Sequence, residues 1–245
     1  MKDNFSTGSD KYARYRPTYP DALYEYLLSL VPGREHAWDC GTGNGQVAQV
    51  LAAYFEKVSA TDISRQQIDN AVQHSRIEYI VEPAEKTSFP DNTFDLVTVA
   101  QAIHWFNFDA FYKEADRVTR KGGVLAVIGY GLVRTNPVTD KVIASFYRNV
   151  VGAYWDKERR YVDEDYKTIP FPYEELSTPS FDNTFEWSFD HLTGYIGTWS
   201  AVKHYEKQNG QDPIELVRDE LKASFGGRDT ITGSFPILLR VARIG

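Results

Sequence analysis

The chain has 245 residues, 42% of them hydrophobic and 25% charged, a length for one large domain or two small ones and a composition in the ordinary globular range. Its single cysteine, Cys40, excludes an internal disulfide and a zinc site built on paired thiolates. A formal charge of −7 argues against a broad nucleic-acid footprint, and no apolar run reaches the roughly 18–20 residues that span a bilayer. The opening Met1-Lys2-Asp3-Asn4-Phe5-Ser6 has no signal-peptide apolar stretch, so the expectation is a cytoplasmic protein with neither nucleic-acid nor membrane partners. Aromatic content stands out at 14%, with 16 tyrosines.

The first 130 residues alternate helical and strand patterns. Pro20-Asp21 introduces an apolar helical stripe from Ala22 to Leu28, closed by Pro32-Gly33. A strand at 37–40 runs into Gly41, Gly43 and Gly45, and Val47–Phe55 then reads as a helix. Strand patterns follow at 57–61, 78–81, 94–99 and 124–128, with helices expected over 64–74 and 110–118 and a turn at Lys121-Gly122-Gly123. The near-continuous apolar run of the fourth strand suits a sheet covered on both faces, and the alternation calls for parallel strands with right-handed crossovers. Beyond Tyr130 the rhythm changes. Helices are expected over 137–152, 156–161, 192–207 and 213–225, strands over 181–189 and 234–243, and Pro170, Pro172 and Pro179 break the chain between them. No flexible linker separates the halves. The reading is one domain over 1–245: a cofactor-binding core over 1–130, an inserted lid over 136–180, and the remaining strands and helices over 181–245.

Asp39-Cys40-Gly41-Thr42-Gly43-Asn44-Gly45-Gln46 lies between a strand and a helix. Glycines let the backbone turn sharply and approach a ligand, and the following helix start offers unpaired N–H groups. The spacing is G-x-G-x-G, and Gln46 stands where a dinucleotide fingerprint places its third glycine. That favours a nucleoside with a smaller attachment over a pyrophosphate. Asp62, seventeen residues after Gly45 at the end of the second strand, is placed to accept two hydrogen bonds from ribose hydroxyls, with Ile63 against the base. The plain alternatives are a ligand-free turn for the glycines and a helix cap for Asp62.

These residues resemble motif I and the acidic loop after the second strand of class I S-adenosylmethionine-dependent methyltransferases. Pro83-Ala84-Glu85-Lys86-Thr87-Ser88-Phe89-Pro90, leading to Phe94-Asp95, and Arg117-Val118-Thr119-Arg120-Lys121-Gly122-Gly123 resemble later motifs of that family. Tyr12-Ala13-Arg14-Tyr15-Arg16-Pro17-Thr18-Tyr19-Pro20, Ala100-Gln101-Ala102-Ile103-His104-Trp105-Phe106 and Thr198-Trp199-Ser200 are similar to the trans-aconitate-methyltransferase-like subgroup of the type-11 methyltransferase domain. The resemblance implies a Rossmann-like, doubly wound α/β sheet of seven strands in order 3-2-1-4-5-7-6, with strand 7 antiparallel. It implies S-adenosyl-L-methionine as cofactor. Gly41, Gly43 and Gly45 would underlie its methionine part and ribose, Asp39 would face the ammonium, and Asp62 the hydroxyls. Ala84 and Glu85 would border the adenine, and Gln101 the boundary with the acceptor. Tyr12, Arg14 and Tyr19 would close over the cofactor, Arg14 as partner of the methionine carboxylate. Pro83 departs from the family, which often places Asp or Asn there to bond the adenine amino group.

Methyl transfer to a small molecule is the expected reaction, with an oxygen acceptor favoured. A carboxylate needs no base; for a hydroxyl or amine, His104 is the candidate general base, against the plainer reading of a packed core histidine. No metal-ligand spacing is present. Fourteen of the thirty-five aromatic residues fall in 146–199. His104, Trp105, Trp155, Arg159, Tyr161 and Tyr166 are the candidate acceptor-binding residues, the arginine suiting an acidic substrate. Two other functions stay open on sequence alone: a nucleotide-binding regulatory protein without catalysis, and a nicotinamide-dependent oxidoreductase.

Overall fold

The computed structural model describes residues 14–245. Seven strands form one sheet: β1 (His36–Cys40), β2 (Lys57–Asp62), β3 (Ile77–Val81), β4 (Phe94–Ala100), β5 (Thr119–Tyr130), β6 (Asp182–Ser188) and β7 (Thr230–Arg243). Their order is β3-β2-β1-β4-β5-β7-β6. The first five strands pair parallel, and β7 runs antiparallel to both β5 and β6. This is the strand order and polarity expected from the sequence.

Alternation of side chains along the strands builds two cores. On one face Trp38, Val97, Val99, Leu125 and Val127 pack against Phe111, Tyr112, Ala115 and Val118 of helix α4 (Phe108–Val118). On the other, Ala37, Val58, Ala60, Leu96, Ala126 and Ile128 meet Leu23, Tyr24, Leu27 and Leu28 of α1 (Asp21–Leu30) and Val47, Ala48 and Leu51 of α2 (Gln46–Leu51). β4 is buried through Val99, which explains its near-continuous apolar run. α4 starts where the Asn107 side chain accepts from the Ala110 N–H at 3.2 Å. Complete burial of a side chain such as Phe111 contributes about 2–3 kcal/mol.

Several element boundaries differ from the expectation. The helix expected over 64–74 is the short α3 (Arg65–Asp69), capped by Ser64. Beyond it the Val72 carbonyl accepts from the Tyr79 hydroxyl and the Ala71 carbonyl from the Gln73 amide, so side chains take the acceptors a longer helix would use. The helix expected over 137–152 is α5 (Pro137–Ser145), which passes into a π turn at Phe146–Val150 and a 3₁₀ turn at Gly152–Tyr154. Next comes α6 (Arg159–Asp163), later than the expected 156–161. The helix expected over 192–207 is two, α7 (Phe189–Ile196) and α8 (Ser200–Asn209). The chain leaves helical geometry at Trp199, whose ψ is 138°. The 213–225 stretch is a 3₁₀ turn followed by α9 (Arg218–Ala223). Lys121-Gly122-Gly123, expected as a turn, is drawn into the irregular start of β5, with Gly122 at φ +77°.

A third core lies beyond β5. It joins Tyr130, Val142, Ile143 and Phe146 to Trp187, Tyr195, Trp199 and Phe235. The loops after β1, β2 and β4 and the end of β5 meet at the carboxyl edge of the sheet, where open α/β folds bind ligands.

Candidate functional site

β1 ends in a loop whose three glycines, Gly41, Gly43 and Gly45, hold φ of +70°, +56° and +86°. Only glycine takes such angles in succession at little cost. The Gly41 and Thr42 amides both donate to the Thr61 carbonyl at 2.9 Å, tying the loop to β2. Gly45 caps α2 in a left-handed conformation. Asp39 is fully buried beneath the loop and accepts from Thr42 Oγ1 (2.5 Å), Thr98 Oγ1 (2.9 Å) and the Ala48 N–H (3.1 Å). Burial lifts its carboxyl to about 6, with these three bonds opposing the rise. Asp62, ending β2, accepts from the Gly43 N–H through Oδ2 and the Ser64 N–H through Oδ1, both at 2.9 Å. The loop is thus held from below by one carboxylate and from the side by another.

Above the loop lies an open cavity whose lining includes Arg16, Tyr19, Asp39, Gly41, Gly43 and Gln101. Among the expected cofactor residues, Tyr19, Asp39, Gly41, Gly43 and Gln101 come together there. Gly45, Asp62, Ile63, Ala84 and Glu85 lie outside that lining. Asp62 reaches its edge through Gly43. Ala84 is buried in the first core, and Glu85 accepts from the Asn107 N–H at 3.0 Å. Tyr12 lies outside the described residues. Arg14 is exposed, with its guanidinium over the Tyr15 ring at 5.2 Å.

Arg16, which sequence reasoning passed over, takes the central place. Its guanidinium donates to Thr198 Oγ1 (2.9 Å) and the Tyr130 hydroxyl (3.0 Å). It lines this cavity and a second one, bounded by Gln101, His104, Trp105, Trp155, Arg159, Trp199 and Ser200 as well. Gln101 shares the same double position. It follows β4 at φ +55°, with its N–H on the Ile128 carbonyl (2.8 Å) and its side-chain amide on the Tyr130 carbonyl (3.2 Å). A non-glycine residue held in that region is strained, and strain of this kind gathers at functional sites.

Arg159 is fixed from several sides in the second chamber. Its Nε donates to the Tyr147 hydroxyl (2.8 Å) and toward Asp163 (3.3 Å), and its guanidinium lies over the Trp155 ring at 4.8 Å. Burial works against its charge, but Tyr147, Asp163 and Tyr195 outweigh that and raise its pKa. Trp155 donates from Nε1 to the Tyr147 carbonyl (3.2 Å). Tyr147, on the π turn, therefore holds both lining side chains. His104 sits in a 3₁₀ turn at Ile103–Trp105, 8% exposed, with Nδ1 3.3 Å from the Tyr166 hydroxyl. Burial first, then the Arg159 and Arg16 charges, lower it to about 3, so the imidazole is neutral at physiological pH. Tyr161 and Tyr166 do not line the chamber. Tyr161 packs edge-on against Phe108, and Tyr166 is fully buried behind His104.

The signal for Arg16 was its place in the same Tyr-Ala-Arg-Tyr-Arg-Pro run as Arg14. For Trp199 and Ser200 it was the Thr198-Trp199-Ser200 likeness, which carried no role. Nothing in the sequence marked Tyr147. Among the described residues no group of three or more His, Cys, Asp or Glu is placed to hold a metal ion. No helix among them is long and apolar enough to cross a membrane.

The sequence profile of the type-11 family, described as a methyltransferase domain, matches residues 38–127. A Dictyostelium discoideum protein classed by inference as a methyltransferase is 32% identical over 98% of this chain and 95% of its own length. A solved structure from Anaeromyxobacter dehalogenans, classed by inference as a type II methyltransferase, superposes with a TM-score of 0.86 at 40% identity, covering 94% of this chain and 98% of that one. The Aspergillus candidus methyltransferase cfoB is 28% identical over 84% of this chain and 69% of its own. The chain belongs to the class I S-adenosylmethionine-dependent methyltransferases, and S-adenosylmethionine is its cofactor. The residues fit that group. A side chain added at Gly43 would meet no protein atom within 4 Å, so the loop has an open face, and buried or bonded carboxylates flank it.

Proposed function

We propose that the enzyme methylates a small acidic molecule on oxygen, a carboxylate being the preferred kind. The observation that carries this is the joint at Gln101 and Arg16 between a glycine-floored cavity and a chamber whose charged lining is two guanidinium groups and no carboxylate. Asp62 takes the ribose hydroxyls, beside Ile63 and Ala84 at the adenine. Asp39, whose carboxyl burial has raised, takes the ammonium, since a cation beside it restores the charged form. Gly41, Gly43 and Gly45 form the floor; Arg16 rather than the exposed Arg14 faces the interior. When bound, S-adenosylmethionine supplies a sulfonium methyl, and transfer to a carboxylate oxygen breaks the C–S bond with its electron pair going to sulfur and no proton moving.

The chain's own part is to position and to exclude water. Arg159 and Arg16 attract and orient the anion, and Trp105, Trp155 and Trp199 form an apolar wall that keeps those charges strong. The 136–180 segment acts as the acceptor lid, delivering Trp155 and Arg159 through Tyr147. The resemblance of the Tyr12–Pro20 and Ala100–Phe106 segments to the trans-aconitate-methyltransferase-like subgroup supports a carboxylate acceptor. The test is transfer of labelled methyl from S-adenosylmethionine to a panel of small carboxylic acids, phenols and amines. The expected product is an alkali-labile ester of an acid. Arg159→Gln should lower kcat/KM for it by about 10–100-fold, the worth of one charge-assisted hydrogen bond. Labelling confined to amines would defeat the reading.

A further inference from the structure

Tyr166 is built into the wall behind His104 with more support than a packing residue needs. It follows Asp165, and both hold left-handed φ, +54° and +60°. Its N–H donates back to the Tyr161 carbonyl at 2.7 Å, ending α6, the helix that carries Arg159. Arg240 on β7 donates to the Tyr166 and Ile169 carbonyls at 3.1 and 2.7 Å. The Tyr166 ring crosses β5 at Gly129, where an added Cβ would come within 2.6 Å of it. The hydroxyl is thereby delivered to His104 Nδ1. The other ring nitrogen, Nε2, has no protein partner among the described residues, and His104 lines the chamber. The charged groups facing it there are Arg159 from α6 and Arg16 from the N-terminal segment.

A phenol O–H is a better donor than a neutral imidazole N–H, and an unprotonated imidazole nitrogen is the better acceptor of the two. A proton on Nδ1 would make the phenol oxygen the acceptor, the weaker of the two pairings, and would turn the phenol O–H away from the ring. We infer that Tyr166 donates to Nδ1 and holds His104 as the neutral Nε2–H tautomer, a hydrogen-bond donor into the acceptor chamber rather than a general base. Tyr166 is then a positioning residue, and the chamber presents three donors, from Arg16, Arg159 and His104, to one anion. The inference rests on the anionic-acceptor reading. It adds that the acceptor arrives already ionised, because the chamber's one imidazole has no free lone pair with which to take a proton.

The test needs no natural acceptor. Long-range ¹⁵N–¹H spectra of the imidazoles are recorded on the full chain saturated with S-adenosylhomocysteine, and the His104 signals are assigned by their loss in His104→Gln. The expected result is a single neutral Nε2–H tautomer that does not titrate between about pH 5 and 8, with the preference lost in Tyr166→Phe. An Nδ1–H tautomer, or a titration midpoint inside that range, overturns the inference. A second arm measures calorimetric binding of benzoate as an anion probe in the presence of S-adenosylhomocysteine. His104→Gln, whose amide N–H can stand near the Nε2 position, should keep affinity within about threefold, and His104→Asn should lose about tenfold. Equal loss in both variants overturns the inference while leaving the anion site intact. Failure of benzoate to bind the unmodified enzyme would count against the anionic-acceptor reading, and the tautomer would still be decided by the spectra.

Discussion

Replacing Gly45 with alanine separates two jobs of the glycine loop, and the structure gives the size of each. Gly45 sits at φ +86°, and an alanine forced there costs about 1–2 kcal/mol. The new Cβ would also stand 2.2 Å from the Tyr79 hydroxyl oxygen and 3.0 Å from its ring, so the phenol must move. That movement gives up the Tyr79–Val72 hydrogen bond, worth about 0.5–1.5 kcal/mol net. The total is about 2–3 kcal/mol, a drop of about 1 M in urea midpoint for a chain with a slope near the upper end of the usual range. Gly43→Ala meets no protein atom within 4 Å and carries the backbone cost alone, about 1–2 kcal/mol. Its methyl, however, projects into the cavity above the loop, so it should weaken S-adenosylhomocysteine binding by tenfold or more while Gly45→Ala, once folded, weakens it less. Urea unfolding and calorimetry read the two effects separately. In a Tyr79→Ala background the cost of Gly45→Ala should fall by about 1 kcal/mol, because only the backbone penalty remains. An unchanged cost in that background, or a Gly45→Ala protein as stable as the parent, refutes the reasoning.

Two further outcomes follow from buried groups outside the loop. Asp95, 2% exposed, accepts from the Glu35 and His36 amides at 2.9 and 3.1 Å and from Arg120 at 3.1 Å, so Asp95→Ala should cost about 2–4 kcal/mol in urea unfolding. A loss below about 1 kcal/mol would show those amides satisfied in another way. His104 has a folded pKa of about 3, below its unfolded 6.5. The unfolded chain therefore binds the extra proton first, and stability is lost as pH falls from about 6.5 toward 3. At pH 5 this amounts to about 2 kcal/mol relative to neutral pH. His104→Gln lacks it, so the variant should gain on the parent by that amount between pH 7 and 5. Asp39, raised to about 6, contributes with the opposite sign in both proteins and cancels in the comparison. A stability difference that does not change with pH would contradict the depressed pKa.

The α/β core was legible because its signals are local. Glycines at alternate positions report the left-handed turns of one loop, and the apolar run of β4 reports burial on both faces within seven residues. The second chamber was harder to read because it is assembled from distant pieces. Arg16, His104, Arg159 and Trp199 meet only after the N-terminal segment, the loop after β4, the 136–180 segment and the α7–α8 break are packed together. That break carries no proline, and an apolar period continues across it, so the sequence reads as one helix. Arg14 and Arg16 carry the same side chain two residues apart; what separates them is the Thr198 and Tyr130 hydroxyls that meet Arg16. The aromatic excess divides in the same way. Trp155 and Trp199 line the chamber and Tyr147 supports it, while Phe146, Trp187 and Tyr195 fill cores. Composition located the cluster, and only packing shows which rings face a ligand.

The most direct measurement is a crystal structure of the enzyme with S-adenosylhomocysteine. The predicted complex has the ribose hydroxyls on the Asp62 carboxylate, the ammonium at Asp39, and the sulfur at Gln101 facing the chamber of Arg159 and Trp155. A sulfur turned away from that chamber, or a ligand bound clear of the Gly41–Gly45 loop, would contradict it.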